Sequence, residues 1–450
     1  MRHAPPVLPG GSALGAESPI DRALALALAE EGEAALRWAA AVVKSDLSMP
    51  TALATTGRLL GELGRHEIAR EACTVAVSRA IDLENLPLAV AAAREIERFG
   101  GDLGKEFDRI AEAFCKGSTR LGEGAPPPPP LPPADSFQPL ASVLTGASLL
   151  NKATEIVHEA KKKLAGETTS PGIAAIPLFS AIGREGLRIL VEALVPIWVA
   201  QGNTVIQQGA EGSEAYFVAR GELEVRRQRE NETIVLGRLT NGAIFGEMAL
   251  LSRAPRAGSV VATRPSIVLE VKKESLDRIA EQQPEVATEL AAHCRTRMFQ
   301  NLEKTTEFLR VVPARDRHAL VDRFTTRTFE KNDQLLTQGE PPAGLYLIAS
   351  GEVAVICRDL DGGDPLVMST LGPGDVVGEV AMVLRRKASA DVVAVHPTVT
   401  LHLPGDQFMA VIHEHPSILL ELYKLALQRD EETNSIIAEE AAVAEDFVLL

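Results

Sequence analysis

The second half of the sequence repeats itself, and this repeat constrains the fold more than any other feature. Gln208-Gly209 recurs as Gln338-Gly339 and Gly221-Glu222 as Gly351-Glu352, both 130 positions later, while GEMAL at 246–250 recurs as GEVAM at 378–382, 132 positions later. The two extra residues are placed most simply in the turn at 359–365. Self-similarity over this length predicts two copies of one folding unit.

Each copy combines short strands with glycine-marked turns. Val353, Val355 and Cys357 alternate with Ala354 and Ile356, as in a strand with two different faces. Many short strands of this kind predict a β-sandwich or jelly-roll barrel. Helices are expected to lead into the copies at 177–194 and 312–324. Others are expected to close them, at 273–310 with a break near Pro284 and from 404 to about 437.

The N-terminal part is rich in alanine and leucine at helical spacing. Ser18, Pro19 and Asp21 form the start signature of a helix, which we expect to run to about Lys44. Small residues within 59–80 resemble one tetratricopeptide-type helix pair. We therefore predict an α-helical, tetratricopeptide-like domain for protein contact, with an ordinary helical bundle lacking a partner as the open alternative.

A proline run separates this region from the repeats. Pro126 to Pro130 are consecutive, which predicts a stiff polyproline II spacer; a docking segment for a module that binds such helices is the alternative. The fold class is α+β multidomain: an N-terminal α-helical domain followed by two β jelly-roll barrels with flanking helices. The predicted segments are the helical domain 18–118, a proline-rich linker 119–136, a connecting helix 137–174, barrels 175–305 and 306–437, and an acidic tail 438–450.

Charge and cysteine content exclude several classes of protein. A net charge of −15 argues against a large DNA- or RNA-binding surface, although a small phosphate ligand fits. The four cysteines lie far apart without a CxxC pair, so neither a zinc site nor a disulfide framework is expected. No apolar run is long enough for a membrane helix, and the N-terminus lacks a secretory pattern. We expect a cytoplasmic protein.

The segment FGEMALLSRAPRAGSV at 245–260 carries the chemistry of the first copy. Glu247 and Arg256 stand nine positions apart in an otherwise apolar barrel, where each charge needs a partner. Arginine presents a fork for two phosphate oxygens, and a carboxylate accepts from a pair of hydroxyls. Gly246 lets the backbone approach a ligand, and 248–251 is predicted to form a helical turn whose N–H groups face an anion. A ribose hydroxyl beside a phosphate would satisfy both charges.

At these residues the sequence resembles the phosphate-binding cassette of cyclic nucleotide-binding domains, as in protein kinase A regulatory subunits, catabolite activator proteins and cyclic-nucleotide-gated channels. The resemblance implies that Glu247 holds the ribose 2′-hydroxyl and Arg256 the cyclic phosphate. It also implies that Gly246, Ala249 and Ala257 supply backbone contacts to the nucleotide and that Met248 belongs to the same binding segment. The alternative is a structural Glu247–Arg256 pair in a barrel that has lost its ligand.

The same resemblance bears on the nucleotide base. Ala257 follows the arginine, whereas family members that prefer cGMP often carry threonine there, so cAMP is the expected ligand and cGMP the less favoured one. The family also caps the base with a residue of the closing helix. Met298, Phe299 and Leu302 are the candidates, and core positions are the alternative for each.

The second copy departs from this pattern. It keeps Gly378, Glu379 and Ala381, but Ala388 stands where the first copy has Arg256, next to Ser389. Loss of a charge-assisted contact weakens binding by about ten- to a hundredfold. We expect this degenerate site to be structural or to bind something else.

These features favour a cytosolic cyclic-nucleotide sensor that relays ligand occupancy to an unknown partner through its helical domain. The sequence shows no nucleophile and base pair and no metal-ligand cluster, so neither an enzyme nor a metal cofactor is expected. Only about 46 residues follow Pro404, too few for a helix-turn-helix after the closing helix. A scaffold built on ligand-free barrels is the alternative, and a homodimer stays open.

Overall fold

The computed structural model describes residues 17–123, 131–165, 172–176, 178–229, 232–251, 254–358 and 365–448. Within these residues a set of α-helices precedes two antiparallel β-sandwiches, each flanked by helices. The predicted α+β class, with a helical region ahead of two barrels, is confirmed.

Seven helices build the N-terminal part of the described chain. They are α1 (Pro19–Leu28), α2 (Gly32–Ser45), α3 (Pro50–Glu62), α4 (His66–Asp82), α5 (Leu86–Arg98), α6 (Gly104–Phe114) and α7 (Gly146–Ala165). The predicted start is observed, because Ser18 and Asp21 each accept a hydrogen bond from the other's backbone amide. The first helix is shorter than expected. It ends at Leu28, and Glu30 adopts a φ of 62° before α2 begins.

Small residues bring α3 and α4 close together, as the sequence suggested. Ala69, Ala72 and Ala76 of α4 are fully buried. A Cβ at Gly57 of α3 would lie 2.8 Å from the Cys73 sulfur, so a larger residue does not fit there. Close contact of this kind is typical of helix pairs that stack into a layer.

The chain returns to the first two helices after the proline run. Pro126 to Pro130 lie outside the described residues, so the predicted polyproline II spacer stays a prediction. Beyond it, the Ala134 amide donates to the Glu17 carbonyl at 2.8 Å, and the Phe137 ring stacks on Trp38 with centroids 6.2 Å apart. Helix α7 then packs against α2 and α4.

The first barrel follows the short helix α8 (Arg184–Glu192). Its strands are β1 (Val195–Val199), β2 (Thr204–Ile206), β3 (Glu214–Arg220), β4 (Leu223–Arg229), β5 (Glu232–Leu239), β6 (Ile244–Phe245), β7 (Ser259–Ala262) and β8 (Ser266–Lys272), with α9 (Met248–Leu251) between β6 and β7. They form two sheets of order β1-β8-β3-β6 and β2-β7-β4-β5. The closing helices are α10 (Lys273–Gln282), α11 (Pro284–Thr305) and α12 (Glu307–Arg310), with the predicted break at Pro284.

The second barrel repeats this plan after α13 (Ala314–Val321). Its elements are β9 (Thr325–Phe329), β10 (Gln334–Leu336), β11 (Gly344–Ser350), β12 (Val353–Cys357), β13 (Leu366–Leu371), β14 (Val376–Val377), α14 (Glu379–Val383), β15 (Asp391–Ala394), β16 (Thr398–Pro404), α15 (Gly405–Glu414) and α16 (Pro416–Val448). The sheet orders β9-β16-β11-β14 and β10-β15-β12-β13 match those of the first barrel strand for strand. The closing segment breaks before Pro416, because a residue that precedes proline is disfavoured in a helix.

The N-terminal helices lie directly on the first barrel. Helix α5 contacts β1, β3 and β8, and one continuous apolar core includes residues of both regions. The Asn85 side chain donates to the Ala219 carbonyl at 2.9 Å, and the Arg58 guanidinium lies 4.1 Å from the centre of the Trp198 ring. The helical region therefore shares its interior with the barrel.

A buried ion cluster joins the same two regions. Asp21 of α1 is 1% exposed and pairs with Arg220 at the end of β3, 2.5 Å away, and with Arg264 in the turn before β8. Burial alone would raise the pKa of the Asp21 carboxyl, but the two arginines and Ser18 outweigh burial and hold this pKa below its usual value. The carboxylate is therefore the stable form at neutral pH.

In the described part of the chain, none of the helices has the length and apolar character needed to cross a membrane.

Candidate functional site

The first cassette connects β6 to β7 and begins with a glycine that the geometry requires. Gly246 has a φ of 76°, and a Cβ there would lie 3.0 Å from both the Arg256 guanidinium and the Glu214 carbonyl oxygen. Any other residue would strain the backbone and crowd these groups. The predicted helical turn follows as α9, although the side chain of Ala249 lies outside the described set.

Arg256 is buried and held by three oxygen atoms. Its Nη1 donates to the Gly246 carbonyl at 2.9 Å, and its Nη2 donates to the Glu214 carbonyl at 2.8 Å and to the Glu214 carboxylate at 3.1 Å. Its exposed fraction is 8%. These contacts fix the plane of the guanidinium against the wall of the cassette.

Glu247 lies under the closing helix α11. It is 4% exposed, and its carbonyl accepts a weak hydrogen bond from the Cys294 thiol of α11 at 3.8 Å. Burial, with a further contribution from the Glu247 carboxylate, raises the pKa of the Cys294 thiol to about 12. The closing helix is thus in direct contact with the cassette.

Both charged residues line one cavity of about 340 Å³. Its other walls include apolar side chains of the inner barrel, among them Ile206, Val225 and Leu239. This volume lies within the range of small-molecule sites, which combine an apolar lining with a few convergent polar groups.

The cavity extends towards the closing helices and the second barrel. Of the three base-capping candidates, Leu302 lines the cavity, whereas Met298 is buried in the core of the second barrel and Phe299 packs against that core. Arg227 of β4 also lines it and donates to the Ala257 carbonyl at 3.1 Å. Ala257 itself lines the cavity and is exposed.

Ala388 takes the place of Arg256 in the second barrel. The Arg256 amide donates to the Ala210 carbonyl and its carbonyl accepts from Gly209, each at 2.9 Å; Ala388 makes the same two contacts, at the same distances, with Glu340 and Gly339. The ungapped alignment of the two cassettes is therefore observed in the fold. The second cassette has no side chain at this position that could bind a phosphate.

The second carboxylate is bound by the protein's own closing helix. Glu379 is 2% exposed, and Arg429 of α16 lies 2.5 Å from it and also donates to the Val376 carbonyl at 2.6 Å. Burial raises the pKa of Glu379, and Arg429 opposes this shift. The neighbouring cavity, lined also by Gly378, Ala381, Ala388 and Ser389, has a volume of only about 90 Å³.

Three charged residues at these sites were not identified from the sequence. Glu214, Arg227 and Arg429 approach the cassettes from β3, β4 and α16, between 30 and 50 positions away from the groups they contact. No spacing rule connects such distant positions. The glutamate and arginine inside the cassettes could be found because they belong to one contiguous motif.

Comparison with known proteins agrees with the repeat. Residues 196–283 and 326–415 each match the family model of the cyclic nucleotide-binding domain. A cAMP-dependent protein kinase regulatory subunit of Yarrowia lipolytica is 31% identical over 205 residues, which are 46% of this chain and 50% of the relative. The chain thus spans about half the length of this curated relative.

Solved structures match the chain only at low similarity. The regulatory domain of Toxoplasma gondii PKA with cAMP is 24% identical, with a TM-score of 0.28. The matched region covers 56% of this chain and 92% of the Toxoplasma chain. The regulatory subunit of a cAMP-independent protein kinase A from Trypanosoma brucei is 21% identical, with a TM-score of 0.27. The matched region covers 54% of this chain and 84% of the Trypanosoma chain.

Proposed function

The chain carries two cyclic nucleotide-binding domains in tandem, and we propose that the first binds cAMP and relays its occupancy to a partner protein. The observation that supports this most is the joint presence of Glu247 and Arg256 in the wall of one cavity of about 340 Å³. A buried carboxylate suits the ribose 2′-hydroxyl, and a guanidinium fork suits the cyclic phosphate.

The nucleotide is proposed to be cAMP rather than cGMP. Ala257 offers no side-chain hydroxyl next to Arg256, where members of the family that prefer cGMP often carry threonine. The relative from Yarrowia lipolytica is named as cAMP-dependent, in keeping with this choice. Ala257→Thr should accordingly raise the affinity for cGMP more than that for cAMP, when both are titrated into the same protein.

The second barrel is proposed to serve a structural role. Ala388 supplies no anion contact, Glu379 is engaged by Arg429, and the cavity of about 90 Å³ is much smaller than the first one. These features support a ligand-free scaffold better than a second nucleotide site. The first barrel remains the sensor.

The relay is proposed to run from the closing helices to a partner protein in the cytosol. A protein kinase catalytic chain is the first partner to test, since the relative is a kinase regulatory subunit. Residues 118–176 contain no Arg-Arg pair of the kind that inhibits such kinases, so contact would use another surface, such as the N-terminal helices. The cysteines of the described chain are free and three of them are buried, which suits a reducing compartment.

Calorimetric titration with cAMP, cGMP and AMP tests the binding proposal. We expect one site per chain for cAMP, and we expect Arg256→Ala and Glu247→Gln to weaken it by at least tenfold. Arg226→Ala is the matched control, because Arg226 lies outside the cavity wall and pairs with Glu224. Absence of binding at millimolar cAMP would refute the proposal, and two equal sites would refute the structural role of the second barrel.

A further inference from the structure

The loop between α14 and β15 in the second barrel carries positive charge that the first cassette lacks. Residues 385–387 are Arg-Arg-Lys, and all three side chains are exposed. The first cassette has alanine and proline at positions 254 and 255, which align with 386 and 387. Ser389 follows two residues after Lys387, where the first cassette has Ala257. The second cassette has thus lost its internal arginine and gained external positive charge and a hydroxyl in the same loop.

Ser389 lies at the end of the second cassette that corresponds to the proposed phosphate end of the first. It lines the cavity of about 90 Å³ and is partly exposed, between the buried residues Ala388 and Ala390. The aligned Ala257 lines the first cavity next to Arg256. A phosphoryl group attached to Ser389 would therefore stand at the position in the second cassette where the first is proposed to take the phosphate of its ligand.

The loop is attached to the barrel by a few contacts. The Arg386 amide donates to the Ala381 carbonyl at 3.0 Å, and its guanidinium pairs with Asp430 of α16. Ala388 exchanges backbone hydrogen bonds with Gly339 and Glu340, each at 2.9 Å. Loss of these contacts would let residues 386–389 adopt an extended conformation at a much lower cost than unfolding of the barrel.

We propose that Ser389 is a phosphorylation site for a protein kinase that selects basic residues, and that the phosphate loosens the closing helix α16. Arg386 and Lys387 stand three and two positions before the acceptor, where such a kinase offers acidic side chains. The Ser389 hydroxyl oxygen attacks the γ-phosphorus of ATP, and the bond from this phosphorus to the β–γ bridging oxygen breaks. ADP leaves, and the hydroxyl proton passes to the catalytic base of the kinase. The nucleotide site of the first barrel takes no part in this step.

The phosphate acts on α16 through Arg429. This residue lines the same cavity as Ser389 and lies 2.5 Å from the carboxylate of Glu379, which is 2% exposed. Phosphoserine carries a charge of about −1.5 to −2 at pH 7, so it competes with Glu379 for this guanidinium. It also repels Glu379 and Glu432, which both line the cavity. A buried carboxylate that loses its counter-ion is strongly destabilising, so the packing of α16 against α14 is weakened.

Incubation of the full chain with the catalytic chain of a cAMP-dependent protein kinase, Mg²⁺ and ATP tests the modification site. We expect intact mass and peptide mapping to show one phosphate on Ser389, which Ser389→Ala should lack. A kinase that selects acidic flanking residues is the control enzyme and should leave Ser389 unmodified. Absence of phosphate on Ser389 of the folded chain would overturn the proposal, whether or not a peptide of residues 383–392 accepts it.

Two variants separate recognition of the basic residues from simple opening of the loop. Arg386→Gln and Asp430→Asn both remove the ion pair between the loop and α16, but only the first removes a charge that the kinase contacts. We expect Arg386→Gln to slow phosphorylation of Ser389 about tenfold, the effect of one charge-assisted contact. Asp430→Asn should leave the rate unchanged or raise it. Equal slowing by both changes would overturn the role of the basic residues.

Hydrogen exchange of the phosphorylated and unmodified proteins tests the effect on α16. Phosphorylation should speed amide exchange in residues 418–432 about tenfold, because the helix detaches more often from the barrel. Ser389→Ala treated with the same kinase is the control and should exchange like the unmodified protein. Arg429→Gln should speed exchange in these residues without any phosphate. Unchanged or slower exchange in α16 of the phosphorylated protein would overturn the proposed effect.

Discussion

The carboxylate of Glu214 competes for the arginine that is proposed to bind phosphate. Its Oε2 lies 3.1 Å from Nη2 of Arg256, and its side chain is 29% exposed, whereas that of Arg256 is 7% exposed. A bound phosphate would bring a second negative charge to the same guanidinium. Repulsion between the two anions lowers the affinity that Arg256 alone would give.

Glu214→Gln should therefore tighten cAMP binding. Glutamine keeps the backbone carbonyl that Arg256 uses and removes the competing charge, and an interaction of about 1 kcal/mol corresponds to roughly fivefold. Calorimetry at two salt concentrations measures the change, which should shrink as salt screens the repulsion. Unchanged binding would show that the two anions do not compete, and weaker binding would show that the Glu214 carboxylate serves to orient Arg256.

Asp21 carries a buried charge at the contact between the helices and the first barrel. Its pKa is lowered in the folded protein because Arg220, Ser18 and Arg264 outweigh the effect of burial. A carboxyl whose folded pKa is depressed stabilises the protein above its unfolded pKa, near 3.9. That contribution is lost as the pH falls through the folded pKa.

Asp21→Asn should destabilise the protein by about 3–5 kcal/mol at pH 7, because it leaves buried Arg220 without its counter-ion. Urea unfolding measures the free energy. The difference between variant and unchanged protein should persist from pH 7 to about 4 and decline below that. Asp135→Asn is the control, as this carboxylate is 91% exposed and should change stability by under about 1 kcal/mol.

The two cassettes differ in a key side chain but keep the same backbone path. Residues 256 and 388 make the same backbone hydrogen bonds, so the exchange of arginine for alanine leaves the path of the chain unaltered. In the first barrel the arginine reaches the carbonyls of Gly246 and Glu214. The equivalent residues of the second barrel are Gly378 and Gly344, which retain these backbone acceptors.

Ala388→Arg should restore weak binding to the second cassette. The new side chain would find the two carbonyl acceptors, but Arg429 still holds Glu379 and the cavity is small. In an Arg256→Ala background, which silences the first site, we expect cAMP binding at least tenfold weaker than that of the unchanged first site. Binding as tight as the first site would show that Ala388 is the sole defect.

Elements were predictable from the sequence where their signals are local. The helix start at Ser18 and the helix break at Pro284 follow from neighbouring residues, and both are observed. The repeat follows from short motifs that recur 130 to 132 positions later, and the two matching barrels are observed as well. The shorter first helix was missed because LALALA continues smoothly into Glu30, and the positive φ of that residue has no glycine to announce it. Arg227 and Arg429 were missed because their partners are distant in sequence and close in the fold.

At the scale of the whole molecule, the helices and the first barrel share one apolar core. The proline run suggested separate units, and nothing in alanine-rich helices reveals that a sheet covers them. The chain's two tryptophans report on the two parts, since Trp38 lies in α2 and Trp198 in β1. Their environments should respond together when the core is disturbed.

Leu24→Ala should lower the urea unfolding midpoints reported by the two tryptophans by the same amount. Leu24 of α1 is 1% exposed, and truncating a buried leucine costs about 2–5 kcal/mol. Urea unfolding of Trp38→Phe and Trp198→Phe versions gives one midpoint for each part, and we expect the two midpoints to coincide and to fall together. Separate midpoints would show independent domains, and Leu347→Ala in the second barrel should leave both in place.

Helix α11 serves two neighbours within two turns. Cys294 lies beneath the carbonyl of Glu247, while Met298 and Leu302, four and eight residues later, belong to the interior of the second barrel. The segment that is repeated in the sequence therefore cannot be replaced on its own, because α11 belongs to the first copy and packs into the second. A second barrel transplanted from a relative would arrive without the face of α11 that packs against it here, so its apolar core would lack Met298 and Leu302.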